Sequence, residues 1–228
     1  MTESKYTYGA SEWVVNSNQN SNERQDRPKV DYMKLKPGSN ELRIITKRHV
    51  FNYHKVVIEG DPGFGYKVFC TCNDDCPVCK MVPDNFGLRV QEGWYIGVID
   101  RAEKRAKVLE IGKTVHDKIT AYKDHPKYGD PQKYDIDIKK DKNPPTPAKT
   151  YDVMALPAEP LSKEDLAMKE SFDLETLGRM CQPPTAEQVQ KRLDKLLAGG
   201  KKIAPPPSKD KDGKRSSDED DTPKFLEK

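Results

Sequence analysis

Four of the five cysteines in this 228-residue chain fall inside ten residues, "CTCNDDCPVC", at positions 70, 72, 76 and 79; the fifth is Cys181. Thiols gathered this densely in a polar chain point to metal binding. A structural zinc ion takes four soft or borderline ligands at tetrahedral corners, and "CPVC" supplies Cys76 and Cys79 on one tight turn. Cys70 and Cys72 stand two residues apart at a strand end, and both are expected to leave the same face. A four-sulfur site from Cys70, Cys72, Cys76 and Cys79 is one reading. His54, one strand earlier, is the competing fourth ligand. Either set closes the coordination shell around one structural Zn2+. No H-x-E signature and no carboxylate cluster accompany the cysteines, which argues against a zinc deaminase or a two-metal nuclease.

The second stretch with chemistry is "RIITKRHVFNYHK", residues 43–55, which contains no acid. Strand alternation sorts it into two faces. Lys47, His49, Phe51, Tyr53 and Lys55 share one; Val50, His54 and Val56 share the other. Cations beside flat rings suit a single-stranded nucleic acid, with charges tracking phosphates and rings stacking bases at roughly 1–3 kcal/mol each. Arg43 and Arg48 add charge to this stretch. "GFGYKVFC" adds Phe64, Tyr66, Lys67 and Phe69, and the hairpin "DRAEKRAK" adds Arg101, Lys104, Arg105 and Lys107. Trp94 and Tyr95 open a strong strand, where parity sends one ring to each side; Tyr95 joins the candidate contacts. No basic recognition helix of the kind that reads duplex DNA is evident.

These residues need a scaffold. "LRIIT", "HVFNYHKVVI", "YKVFC", "WYIGVID", "AKVLEI", "YDIDI" and "TYDVMAL" read as short strands between turn residues. "KTVHDKITAYK" reads as one internal helix with Val115, Ile119 and Tyr122 on its stripe, Thr114 as N-cap and Asp117 three residues on. Five to seven strands with one helix describe a small barrel. The spans are a flexible arm over 1–28, a β-core over 29–160 with a zinc subdomain at about 50–90, a helical segment over 161–200 and a disordered tail over 201–228. In the helical segment Thr185 and Gln188 form a capping box, and Val189, Leu193, Leu196 and Leu197 form a stripe ended by Gly199.

Composition sets bounds. Hydrophobic and charged residues each make up 34% of the chain, and 18 prolines weight it toward solvated segments. The net charge is +3, but the last eleven residues hold five acids and two lysines, which leaves 38 basic against 32 acidic residues elsewhere. The N-terminus lacks the apolar stretch of a secretory signal, and no run reaches the ~20 apolar residues of a membrane span. A cytoplasmic protein without a membrane partner is expected, where clustered thiols serve as metal ligands.

"FNYHKVVIEG…YKVFC…CPVCK", followed by "WYIGVID", "KVLEIGKTVHDKI" and "YGDPQKYDIDI", resembles the single-stranded DNA-binding, helix-destabilising proteins of T-even-type bacteriophages over roughly residues 31–160. The resemblance implies a mainly β fold, an OB-fold (five-stranded Greek-key barrel) with a small inserted zinc subdomain, short C-terminal helices and disordered termini. It implies no catalysis, and a cytoplasmic setting in an infected bacterial host. Zinc in that family is held by one His and three Cys; the matching positions are His54, Cys76, Cys79 and either Cys70 or Cys72. Cooperative self-association on DNA runs through a basic N-terminal arm in the family, whereas this arm is Asn/Ser-rich and the nearest Lys/Arg–Ser cluster is "GKRSS" in the tail. The family's acidic tail recruits replication, recombination and repair proteins; Asp218, Glu219, Asp220, Asp221 and Phe225 are the matching features here. The alternative reading is a zinc-stapled interaction adaptor that ignores nucleic acid.

Overall fold

The computed structural model describes residues 30–61 and 65–205. Seven strands form one antiparallel sheet: β1 (Glu41–Ile44), β2 (His49–Val56), β3 (Tyr66–Phe69), β4 (Val90–Asp100), β5 (Arg105–Ile111), β6 (Tyr134–Lys140) and β7 (Tyr151–Ala158). Their order is β3-β2-β4-β1-β6-β7, with β5 also paired to β4. Helix α1 (Lys113–Asp124) interrupts the strands, and α2 (Lys163–Glu170), α3 (Leu174–Met180) and α4 (Ala186–Leu197) follow them. Strand number and the place of the internal helix are as expected. Among the described residues no ladder joins β7 back to β3 or β5.

Strand β4 organises the sheet because it is long enough to serve three neighbours. Its first half pairs with β2, from His54↔Val90 to His49↔Tyr95, and its second half pairs with β1, from Ile44↔Val98 to Leu42↔Asp100. Strand β5 runs along it from Trp94↔Ile111 to Asp100↔Arg105. Paired residues share a face, so alternation along β4 separates two layers of side chains.

On one face Leu42, Ile44, Trp94, Ile96, Leu109, Ile136 and Ile138 form the main core, and α1 closes it with Val115 and Ile119. Helix α1 starts one residue before the expected Thr114 N-cap. Gly112, in extended conformation, is its N-cap, and no side chain caps the end. Thr114 therefore lies inside the first turn.

A second core gathers Val56, Ile58, Val68, Cys70, Cys76, Val78 and Leu88, and α4 inserts Val189 and Leu193 into it. The Thr185–Gln188 capping box is present at the start of α4. Beyond that helix the chain pairs with the end of β2: Ala204 N–H donates to Val57 O at 2.8 Å and Glu59 N–H to Lys202 O at 2.9 Å. The helix read as part of a separate C-terminal segment is thus built into the cysteine-bearing layer. No described helix is long and apolar enough to cross a membrane.

Candidate metal centre and aromatic face

His54 is fully buried, and alternation along β2 turns it toward the cysteine loop. Its Nδ1–H donates to Leu88 O at 2.6 Å, leaving the Nε2 lone pair aimed at Cys76 Sγ and Cys79 Sγ, each 3.5 Å away. Cys70 Sγ lies 3.9 Å from Cys76 Sγ and 3.6 Å from Cys79 Sγ. The four ligand atoms of His54, Cys70, Cys76 and Cys79 all fall within 4.8 Å of one another, and this group could hold a metal ion. A backbone carbonyl that fixes the imidazole tautomer is the usual outer support of a metal-binding histidine.

The thiols perturb one another. Hydrogen bonding from the Cys70 thiol, with help from His54, pulls Cys76 down to about 2. Burial, followed by the charge on Cys76, pushes Cys79 up to about 11. Cys70 is pushed up by its hydrogen bonds to Cys72 and Cys76. One thiolate makes the next costly, so three together require a cation among them.

Cys72 stands outside this group, and the expectation that it leaves the same face as Cys70 fails. β3 ends at Phe69, and Cys72 adopts a left-handed backbone (φ 60°), which breaks strand alternation. Its backbone N–H points at Cys70 Sγ (3.3 Å), and its own Sγ accepts from Asn52 Nδ2 at 3.3 Å. Of the two sets left open, four sulfurs or His plus three sulfurs, it is the latter, with Cys70 as third thiol, whose ligand atoms lie close enough together to hold an ion.

The opposite face of β2 carries the rings. Phe51 stacks on Tyr95 with centroids 4.4 Å apart, and lies 5.1 Å from Phe69 and 5.8 Å from Tyr53. Gly93 makes room for it: a Cβ there would sit 2.5 Å from Phe51 Cζ. Tyr32, which sequence reasoning passed over, meets Tyr95 edge-on at 6.3 Å and is 44% exposed. Phe51 (2% exposed) and Tyr95 (6%) are the floor of this face, and half-buried Tyr53 and Phe69 form its rim. Burial raises the Tyr53 and Tyr95 hydroxyls above their ordinary range. Leu177 of α3 packs on the same cluster. Of the Trp94–Tyr95 pair, Trp94 enters the main core, where it stacks on His116 at 3.8 Å.

The candidate cations divide into two groups. Exposed Lys67 lies 5.1 Å over the Tyr53 ring and is ion-paired with Glu110, and burial lowers its pKa. Lys55, paired in register with Lys67, is exposed on the same face, while Lys47, just before β2, and Lys104, in the β4–β5 hairpin, are exposed. Other candidates are engaged inside the fold. Arg43 is 2% exposed and ion-paired with Asp135. Lys107 is 5% exposed between Asp100 (3.0 Å) and Glu103 (2.6 Å). Arg101 bridges Asp135 at 2.7 Å and Asp165 at 2.8 Å, whereas Arg105 stays exposed and meets Asp31 at the surface at 3.2 Å. Arg48 donates to Thr120 Oγ1 at 2.7 Å and meets His116 Nε2 at 2.8 Å, so it fastens α1. Arg43, Arg101 and Lys107 therefore do structural work that composition alone did not reveal. Tyr66 points to the other face, where its hydroxyl donates to Asp61 at 2.6 Å. Phe64 and the tail residues Asp218, Glu219, Asp220, Asp221 and Phe225 lie outside the described residues.

Two further residues that sequence reasoning missed stand beside the metal centre. Phe86 is 62% exposed, and the Arg89 guanidinium lies 5.6 Å from its ring centroid. They border a groove of about 600 Å3 whose other walls are Cys79, Val82, Pro83 and Val90. The only sequence signal was an aromatic two residues before a leucine in "NFGLRV".

With the geometry in place, comparison with known proteins returns no match among family models and none among curated proteins. The functional reading rests on the residues themselves.

Proposed function

We propose that this chain binds single-stranded DNA without catalysis, coating unpaired strands with little base preference during phage replication, recombination and repair. The observation that carries this reading is the two-sided strand β2. Phe51 and Tyr53 on one face join Phe69, Tyr95 and Tyr32 in a ring cluster flanked by Lys55 and Lys67, while His54 on the other face enters the thiol cluster. Half-exposed rings beside cations are what unstacked bases and phosphates need, and base stacking on rings is nearly sequence-blind.

The ion proposed for the His54–Cys70–Cys76–Cys79 group is zinc. Ligand bonds of about 2.3 Å to sulfur and about 2.0–2.1 Å to nitrogen give tetrahedral edges of roughly 3.8 Å (S–S) and 3.6 Å (S–N). The observed 3.9, 3.6 and 3.5 Å separations match those edges. Four protein ligands fill a tetrahedral shell, so the role proposed for the ion is structural: it holds β2 and the "CPVC" turn together. The antiparallel sheet with one internal helix is compatible with the OB-fold expected from the T-even phage resemblance, which also supports an acidic-tail route to replication, recombination and repair partners. The test is a titration of the metal-loaded protein with oligo-dT at two salt concentrations. Affinity that falls steeply with salt supports the reading. An interaction adaptor gives no binding at either.

A further inference from the structure

The Phe86–Arg89 groove is built rather than incidental. Asn85 caps the short 3-10 turn Phe86–Leu88 by accepting from Gly87 N–H at 3.0 Å, and its amide donates to Ala204 O at 2.8 Å. Leu88 anchors the turn in the second core at 2% exposure, and its carbonyl holds the His54 imidazole. The turn is thereby pinned at three points, yet it holds an apolar ring out into solvent. Such a ring lowers solubility and adds nothing to the core, so the fold's own stability does not require it.

The surroundings select the occupant. Arg89 is the only charged side chain among the groove's walls, so the groove favours an anion. Arg89 also immediately precedes β4, in extended conformation (φ −52°, ψ 151°), one step beyond the His54↔Val90 pair. Continuing that register places it beside Lys55, which neighbours Tyr53 and Lys67. The Cys79 and Val90 walls lie on the metal side of the sheet, so Arg89, at the strand end beside Lys55, is the link through which a polyanion lying along Tyr53 and Lys67 would enter the groove.

We infer that this groove is an end subsite of the nucleic-acid interface, in which one unstacked base lies against Phe86 and its phosphate is met by Arg89. This inference rests on the single-stranded DNA reading above and names where the strand leaves the aromatic face. The metal centre enters it directly, since Cys79 forms a wall and the Leu88–His54 hydrogen bond sets the turn that carries Phe86.

The test uses the full-length, metal-loaded protein and a dT oligonucleotide series of increasing length. Phe86→Ala should weaken binding of the longer oligonucleotides roughly 5- to 150-fold, the loss of one stacked base. Phe86→Trp should restore it, and Arg89→Gln should reduce the salt slope by about 1. Metal content and thermal midpoint should stay at wild-type values, because Phe86 is exposed. Photo-crosslinking with 5-iodo-deoxyuridine oligonucleotides should place an adduct at Phe86 in the unmutated protein. Wild-type binding with full affinity in Phe86→Ala and no adduct in the turn overturns the subsite while leaving the proposed function standing. A wild-type protein that fails to bind any oligonucleotide overturns both.

Discussion

Phe51 and His54 lie three residues apart on β2 and face opposite sides of the sheet: the Phe51 ring stacks on Tyr95 at 4.4 Å, and His54 Nε2 lies 3.5 Å from two cysteine sulfurs. A three-residue step on a strand always reverses the face. One short strand therefore joins the ring cluster to the thiol cluster with no intervening element.

The first expectation concerns the ligands. Metal analysis of the purified protein should find one zinc per chain. Cys70→Ser, Cys76→Ser, Cys79→Ser and His54→Ala should each lose most of it and lower the melting midpoint. Cys72→Ser should keep it, because that thiol is turned out of the group by its left-handed backbone. Zinc retained in Cys70→Ser but lost in Cys72→Ser contradicts the assignment.

Two rings on the same face should behave differently. Phe51 is buried and stacked, so Phe51→Ala should cost about 3–5 kcal/mol of stability by leaving a cavity over Gly93. Tyr53 is half-buried at the rim, so Tyr53→Ala should weaken oligo-dT binding while shifting the denaturation midpoint little. Chemical denaturation and DNA titration of the same two variants separate the roles.

The cations should divide along the same line. Lys55→Gln and Lys67→Gln should each reduce the salt slope of DNA binding by about 1, with small effects on folding. Arg43→Ala should leave that slope alone and lower stability, though by less than the ~3–5 kcal/mol of a buried charge left unpaired, because Asp135 keeps Arg101. An unchanged slope in both lysine variants moves the phosphate path off this face.

Much of this was legible in the sequence, for identifiable reasons. The thiol spacing and the parity of β2 are local properties, so His54, Cys76, Cys79 and the ring-bearing face could be read directly. What failed depended on backbone exceptions or on distant partners. The left-handed turn at Cys72 broke an alternation rule that holds only inside a strand. The burial of Arg43, Lys107 and Arg101 depends on acids supplied by the hairpin, β6 and α2, and Asp135 lies 92 residues from Arg43. Tyr32 comes to Tyr95 only because its segment bridges to Val108 beside β4. No window of sequence contains the Arg43, Arg101 and Tyr32 pairings; the Lys107 partners Asp100 and Glu103 do lie within the hairpin "DRAEKRAK", where their engagement depends on the turn geometry.

Acid should loosen the α1 contact. Burial, ahead of the Asp117 hydrogen bond that opposes it, lowers the His116 pKa from 6.5, and Arg48 adds to the lowering. A histidine that titrates lower in the folded chain binds its proton more readily when unfolded, so its contribution is fully present above about pH 6.5 and is lost as pH falls below that. His49, lowered by burial, acts in the same direction. Melting midpoints measured from pH 7.5 to 5.5 should fall in the wild type, and His116→Gln should flatten part of that fall. An identical pH profile in the variant removes His116 as a contributor.

The most direct measurement is equilibrium binding of zinc-loaded protein to a dT oligonucleotide at about 50 and about 200 mM salt, for wild type and Tyr53→Ala side by side. The expected result is wild-type binding that weakens by orders of magnitude between the two salts, and Tyr53→Ala weaker at both with its zinc intact. Zinc-loaded wild-type protein that shows no binding at the lower salt contradicts the account.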